Sequence, residues 1–109
     1  MNISHLEVLN AVAARGSFSD AALELEVSQS AVSRAIASLE RELGIPLLLR
    51  GRFGAKLPPV GERIMHHAQQ ILALREQIEY EVNLDKGLYN GRLRIASFRS
   101  AATRLLPAN

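Results

Sequence analysis

Residues 17 to 50, SFSDAALELEVSQSAVSRAIASLERELGIPLLLR, limit the possible folds more than any other part of the chain. A short helix signal over residues 19–25 meets a polar break around Val27 and Ser28. A longer signal then covers residues 29–43 and stops at Gly44, Ile45 and Pro46. On a helix of 3.6 residues per turn, Val32, Ile36, Leu39 and Leu43 fall in one narrow stripe at i, i+4, i+7 and i+11. That stripe must face a core. The opposite side carries Ser30, Arg34, Ala37, Ser38 and Arg41, with Gln29 and Ser33 exposed near the first turns.

Each boundary of this pair of helices has a chemical cause. Ser17 can cap the first, with Asp20 three residues on completing a capping box, and Ala21, Ala22 and Leu25 form a face small enough for close packing. Ser28 can cap the second and leave Gln29 and Ser30 projecting from its first turn. Gly44 supplies a left-handed terminal residue, Ile45 packs back on the last turn, and Pro46 blocks continuation. Upstream, Ser4 and Glu7 spell another capping box, with Ile3 and Val8 as a hydrophobic staple. Leu6, Leu9, Val12 and Ala13 form an inward face that Gly16 can end. Three short helices sharing one apolar face, the last two joined by a tight turn, describe a helix-turn-helix.

The outer face of the third helix suits a duplex groove. Ser and Ala around Arg34 leave little bulk, so the helix can sink into a major groove roughly 12 Å wide. Arg pairs bidentately with guanine and Gln with adenine, whereas Ser hydroxyls and free helix-start N–H groups suit phosphate oxygens. An ordinary amphipathic helix with a solvated polar face is the plain alternative. The preceding helix and turn favour the groove reader.

At these residues the chain resembles the LysR-type transcriptional regulators. The order Leu6, Leu9, Val12, Ala13, Gly16, Ser17, Phe18, Ala21, Ala22, Leu25, Val27, Ser28, Gln29 follows that family's amino-terminal pattern. So does the continuation Val32, Ser33, Arg34, Ile36, Leu39, Glu40, Leu43, Gly44, Pro46, Leu47, Leu48, Arg50. The resemblance covers nearly the full chain. It implies a mainly α fold: a winged helix-turn-helix, with a three-helix core and a small β-hairpin wing, then a long dimerisation helix and an effector-binding regulatory domain. The chain departs from the family at three places. Ser30 stands where Pro is usual, Leu49 where a polar or acidic residue is common, and Pro58 where a Thr caps the linker helix. Pro59 still suits the first position of that helix.

Composition sets the outer bounds. The 109 residues allow one small domain with appendages, and 48% hydrophobic residues permit a modest core. No apolar run is long enough for a membrane span, and no secretory signal is visible, so cytoplasm is the default. The absence of cysteine excludes disulfides and thiolate metal sites. Net charge is +2, and residues 1–57 balance six basic against six acidic side chains. Placement matters more than total: Arg50, Arg52 and Lys56 occur with no acidic residue between Leu43 and Gly61.

Those cations lie on strand-like pieces at residues 47–50 and 55–57, around Gly51, Arg52, Phe53 and Gly54, which fit a small hairpin. As a wing, it would place Arg50 and Lys56 on phosphates and Arg52 at the tip in a narrow minor groove, with Phe53 a packing or tip residue. The expected DNA-contacting set is therefore Ser28, Gln29, Ser30, Ser33, Arg34, Ala37, Ser38, Arg50, Arg52 and Lys56. From residue 59 to about 86 no proline intervenes after Pro59. Ile64, Ala68, Ile71, Ile78 and Val82 step by fours and threes, with Arg75 interrupting the seam. A helix of that length, roughly 40 Å, exceeds what a trihelical domain covers and asks for a second copy of itself. The family resemblance supplies one as an antiparallel linker-helix pair. His66 and His67, adjacent on a helix, point about 100° apart and cannot chelate one ion together.

The expected organisation is thus a DNA-binding domain at 1–58, a dimerisation helix at 59–86, and a hinge with the start of a regulatory domain at 87–109. Residues 87–91 read as linker, 93–96 as strand and 101–106 as a helix start. Ser100 matches a position that the resemblance links to effector contact, although residues 91–109 are too few to build an effector pocket. The expected partners are double-stranded DNA and a second copy of the chain, with a tetramer in a longer form. A small-molecule effector is expected only with the regulatory domain, and neither cofactor nor membrane is expected. No Ser-His-Asp set, carboxylate pair, phosphate loop or metal cluster points to an enzyme. A winged-helix module that binds proteins rather than DNA is the second class; an acidic or apolar outer face would have favoured it.

Overall fold

The computed structural model describes residues 1–51 and 54–94, with side chains as far as Gly87. In chain order the elements are α1 (Ile3–Arg15), α2 (Phe18–Leu25), α3 (Gln29–Leu43), β1 (Leu49–Gly51), β2 (Gly54–Lys56) and α4 (Pro59–Arg94). The hairpin tip at Arg52 and Phe53 lies outside the described residues, as do Ser100 and the helix start expected at 101–106. No helix among the described residues is long and apolar enough to cross a membrane.

Helix starts follow side-chain caps, though one cap differs from expectation. Asn2, not Ser4 with Glu7, caps α1: its Oδ1 accepts from the Ser4 N–H at 2.8 Å and from the Ser4 hydroxyl at 2.9 Å. The helix thereby begins at Ile3, which is exposed, while Val8 packs against the core. Ser17 Oγ accepts from the Asp20 N–H at 3.0 Å, and Ser28 Oγ from the Ala31 N–H at 3.0 Å, as expected for α2 and α3. At the other end of α3, Gly44 adopts φ 77° and donates its N–H to the Glu40 carbonyl at 2.8 Å.

Residues 1–72 form one compact unit. Leu9, Val12, Val32, Ile36 and Leu39 are fully buried at its centre. A fully buried large aliphatic side chain contributes about 1.5–3 kcal/mol. Leu43, the fourth member of the sequence stripe, is exposed, because the last turn of α3 runs past the core. Met65, Ala68 and Leu72 of α4 complete the cluster, with Ile64 and Ile71 packed against it.

The hairpin is displaced from its expected strands. Leu47 and Leu48 are core residues, and their N–H groups donate to Glu40 Oε2 at 2.8 and 3.2 Å, so pairing begins only at Leu49. The register is Leu49 with Lys56, Arg50 with Ala55 and Gly51 with Gly54. The Ala55 N–H then donates to the Gly16 carbonyl at 2.9 Å, tying the hairpin to the corner between α1 and α2. Gly54 permits this approach: it has φ 117°, and a Cβ there would meet the Gly16 oxygen at 2.3 Å.

Helix α4 begins at Pro59, where proline's fixed φ and missing N–H cost nothing. It spans 36 residues and ends at Arg94, beyond the stop expected near Lys86. Residues 87–91, read as linker, and Leu93 and Arg94, read as the start of a strand, are helical instead. Gly87 and Gly91 cost a helix only about 1 kcal/mol each relative to Ala, and no proline follows until Pro107. The described residues from Ala73 onward belong to a second unit.

Candidate nucleic-acid interface

Helix α3 turns Val32, Ile36 and Leu39 into the core, and this fixes what it shows outside. Ser28, Gln29, Ser30, Arg34 and Ala37 are exposed, while Ser33 and Ser38 are half-buried along the flanks. The expected contact residues of α3 therefore share its outer side. Three of them are linked by hydrogen bonds. The Ser28 and Ser30 hydroxyls lie 3.2 Å apart, and Arg34 Nη1 donates to Ser30 Oγ at 3.5 Å.

A shallow recess beside this face is lined by His5, Ala31, Arg34, Ala35, Ala37, Ser38 and Arg41. His5 was not among the expected site residues, and its Nδ1 is buried without a hydrogen-bond partner. Its place follows from α1: with Leu6 and Leu9 turned inward, the neighbouring His5 falls on the flank toward α3. The recess thus joins one imidazole to two guanidinium groups.

The two described cations of the hairpin face opposite ways. Arg50 lies over the Phe18 ring of α2, its guanidinium carbon 4.3 Å from the ring centroid, and its pair partner Ala55 is buried. Side chains alternate along a strand, so Leu49 and Lys56, which pair with each other, point to the other face. Both are exposed there. Arg52 lies outside the described residues. Arg15, a further cation at the end of α1, is engaged by Glu24 at 2.8 Å, and that hydrogen bond raises its pKa above the ordinary arginine value.

The seam expected for dimerisation divides in two. Ala68 is buried in the core of residues 1–72, and Ile64 and Ile71 pack against that core. Arg75 is half-buried, whereas Ile78 and Val82 are 63% and 45% exposed. Their first three partners in the heptad pattern thus serve their own domain. His66 and His67 meet edge to face with ring centroids 5.6 Å apart, and among the described residues no three His, Cys, Asp or Glu side chains cluster as a metal site.

A model of bacterial regulatory helix-turn-helix proteins of the lysR family matches residues 3–62, more than half of the chain. The chain belongs to the LysR family. Over 107 residues it is 63% identical to a probable HTH-type transcriptional regulator, LrrA, of Synechococcus elongatus, covering 98% of this chain and 36% of that protein. It is 35% identical over 108 residues to the uncharacterized HTH-type transcriptional regulator YoaU of Bacillus subtilis, covering 98% of this chain and 37% of that protein. This LysR-family chain thus spans little more than a third of the length of these curated relatives. Among solved structures, the DNA complex of the CbnR DNA-binding domain superposes with a TM-score of 0.72 at 32% identity, covering 76% of this chain and 95% of that one. The BenM DNA-binding domain with benA site 1 DNA gives the same TM-score at 36% identity, covering 76% of this chain and 93% of that one. The lysR match takes in all three short helices, the hairpin and the first residues of α4.

Proposed function

We propose that this chain is the DNA-binding and dimerising part of a sequence-specific transcriptional regulator, reading an interrupted palindrome. Helix α3 enters the major groove, and the hairpin lies along the backbone as a basic wing. The observation that carries this reading is Arg34, exposed among serines and alanines on the side of α3 turned away from the core. Such a face has donors to spare and little bulk to keep it from base edges. The relatives described as transcriptional regulators, and the DNA complexes of similar fold, support the same reading.

In this scheme Arg34 and Gln29 read bases with Ser30 beside Arg34, while Ser28, Ser33, Ser38 and Lys56 contact phosphates or sugar edges. Ala37 leaves room for the groove wall, and Arg52 at the hairpin tip enters the minor groove. Arg50, held over Phe18, braces the wing against α2 and presents charge beside the backbone. A second copy pairs through the exposed part of α4. A longer form carries the regulatory domain, its small-molecule effector and a tetrameric assembly, in the cytoplasm. The chain acts by binding, not by catalysis.

Selection from a pool of random duplexes tests the proposal. The expected result is enrichment of two inverted half-sites. No enrichment, with retention of proteins instead of DNA, identifies a winged-helix protein-interaction module.

A further inference from the structure

We infer that Ser30 is a positioning residue for Arg34, and that the two form a donor-only reading unit that favours guanine over adenine. The inference rests on the DNA reading above and concerns the hydrogen bonds on the outer face of α3. Arg34 Nη1 donates to Ser30 Oγ across one helical turn, and Ser30 Oγ lies 3.2 Å from Ser28 Oγ. Ser28 is itself fixed, because its Oγ accepts the capping N–H of Ala31 at 3.0 Å. The guanidinium is thereby referred, through two hydroxyls, to the backbone at the start of the helix.

Positioning matters because a free arginine side chain is rich in rotamers, and its planar fork reads a base well only when pre-organised. Hydroxyl bookkeeping decides what the unit presents outward. A serine hydroxyl has one proton and two lone pairs. Either hydroxyl can be the donor between Ser28 and Ser30; with Ser28 donating, Arg34 and Ser28 fill both lone pairs of Ser30, and the Ser30 proton is left for an external acceptor. Arg34 has donors and no acceptor. An edge with two acceptors, guanine O6 and N7, satisfies such a unit, whereas adenine offers N7 beside an N6 amino donor that repels it.

Binding of the whole 109-residue chain to the selected duplex, and to duplexes with each base pair of a half-site replaced, tests this. Arg34→Ala identifies the base pair that Arg34 reads, as the position where discrimination disappears. Ser30→Ala is expected to lower discrimination at that same pair about three- to tenfold and to leave other positions unchanged. Ser30→Thr, which keeps the hydroxyl, restores it, and the double variant discriminates no less than Arg34→Ala alone. Three results overturn the inference while sparing the DNA reading: a uniform loss across all positions in Ser30→Ala, full discrimination at the Arg34 pair in that variant, or independent additive losses in the double variant. A wild-type chain that enriches no sequence overturns both.

Discussion

Glu26 carries the cost of the turn between α2 and α3. It has φ 58° and is the non-glycine residue with positive φ among the described residues. Its N–H donates to the Leu23 carbonyl at 3.3 Å, and the Val27 N–H to the Ala22 carbonyl at 3.1 Å, the paired pattern of a Schellman ending. The left-handed conformation costs an L-residue about 1–2 kcal/mol. A glycine removes that cost but adds about 0.4–1 kcal/mol of unfolded-state entropy. Strain relief is the larger effect. Glu26→Gly is therefore expected to stabilise the chain by about 0.5–1 kcal/mol. Urea denaturation checks it: the midpoint should rise with the slope unchanged, and a lower midpoint would show that Glu26 makes a compensating contact. The sequence hides this residue, because a Glu at the end of an amphipathic run is an ordinary helical residue by pattern.

At the scale of elements, legibility depended on how local the cause was. The bounds of α3 are readable because Ser28, Gly44 and Pro46 act within a few residues of the ends they define. Sequence pattern alone starts the hairpin two residues early, because its limit is set by Glu40, seven and eight residues from the N–H groups it accepts. No periodicity reports a carboxylate reaching across a loop. Glu40→Ala removes that acceptor and leaves two part-buried donors, at a cost of about 1–3 kcal/mol for such an orphaned group. The expected outcome is a melting transition several degrees lower, with loss of protection of the Leu47 and Leu48 amides in hydrogen exchange. Unchanged protection would assign those amides another partner. In the proposed interface the test at this scale is Lys56, exposed on the hairpin face away from Arg50. Lys56→Ala should weaken binding to every duplex alike and make the slope of log affinity against log salt shallower by roughly one. An unaltered slope would remove Lys56 from the phosphate contacts.

For the whole molecule the proposed reading of a palindrome requires two half-sites to be bound at once. Half-sites on one face of a duplex lie about 34 Å or its multiples apart, more than one small domain can span. Two copies joined through α4, as proposed, would solve the spacing and gain avidity from the linkage. The heptad pattern from Ile64 to Val82 reads as one seam because it keeps one period, yet its residues face two environments. Ile71 packs against the core of residues 1–72, so a charge there is expected to unfold that domain, and it does not test dimerisation cleanly. Leu74, Ile78 and Val82, four residues apart, are 64%, 63% and 45% exposed. They form the stripe that a second α4 would cover. Ile78→Asp places an unpaired charge in that contact and leaves the core untouched. The expected product is a folded monomer, by light scattering and circular dichroism, that binds a single half-site as before and has lost the gain from two. A variant that remains dimeric and keeps the wild-type preference for paired half-sites would move the interface off this stripe.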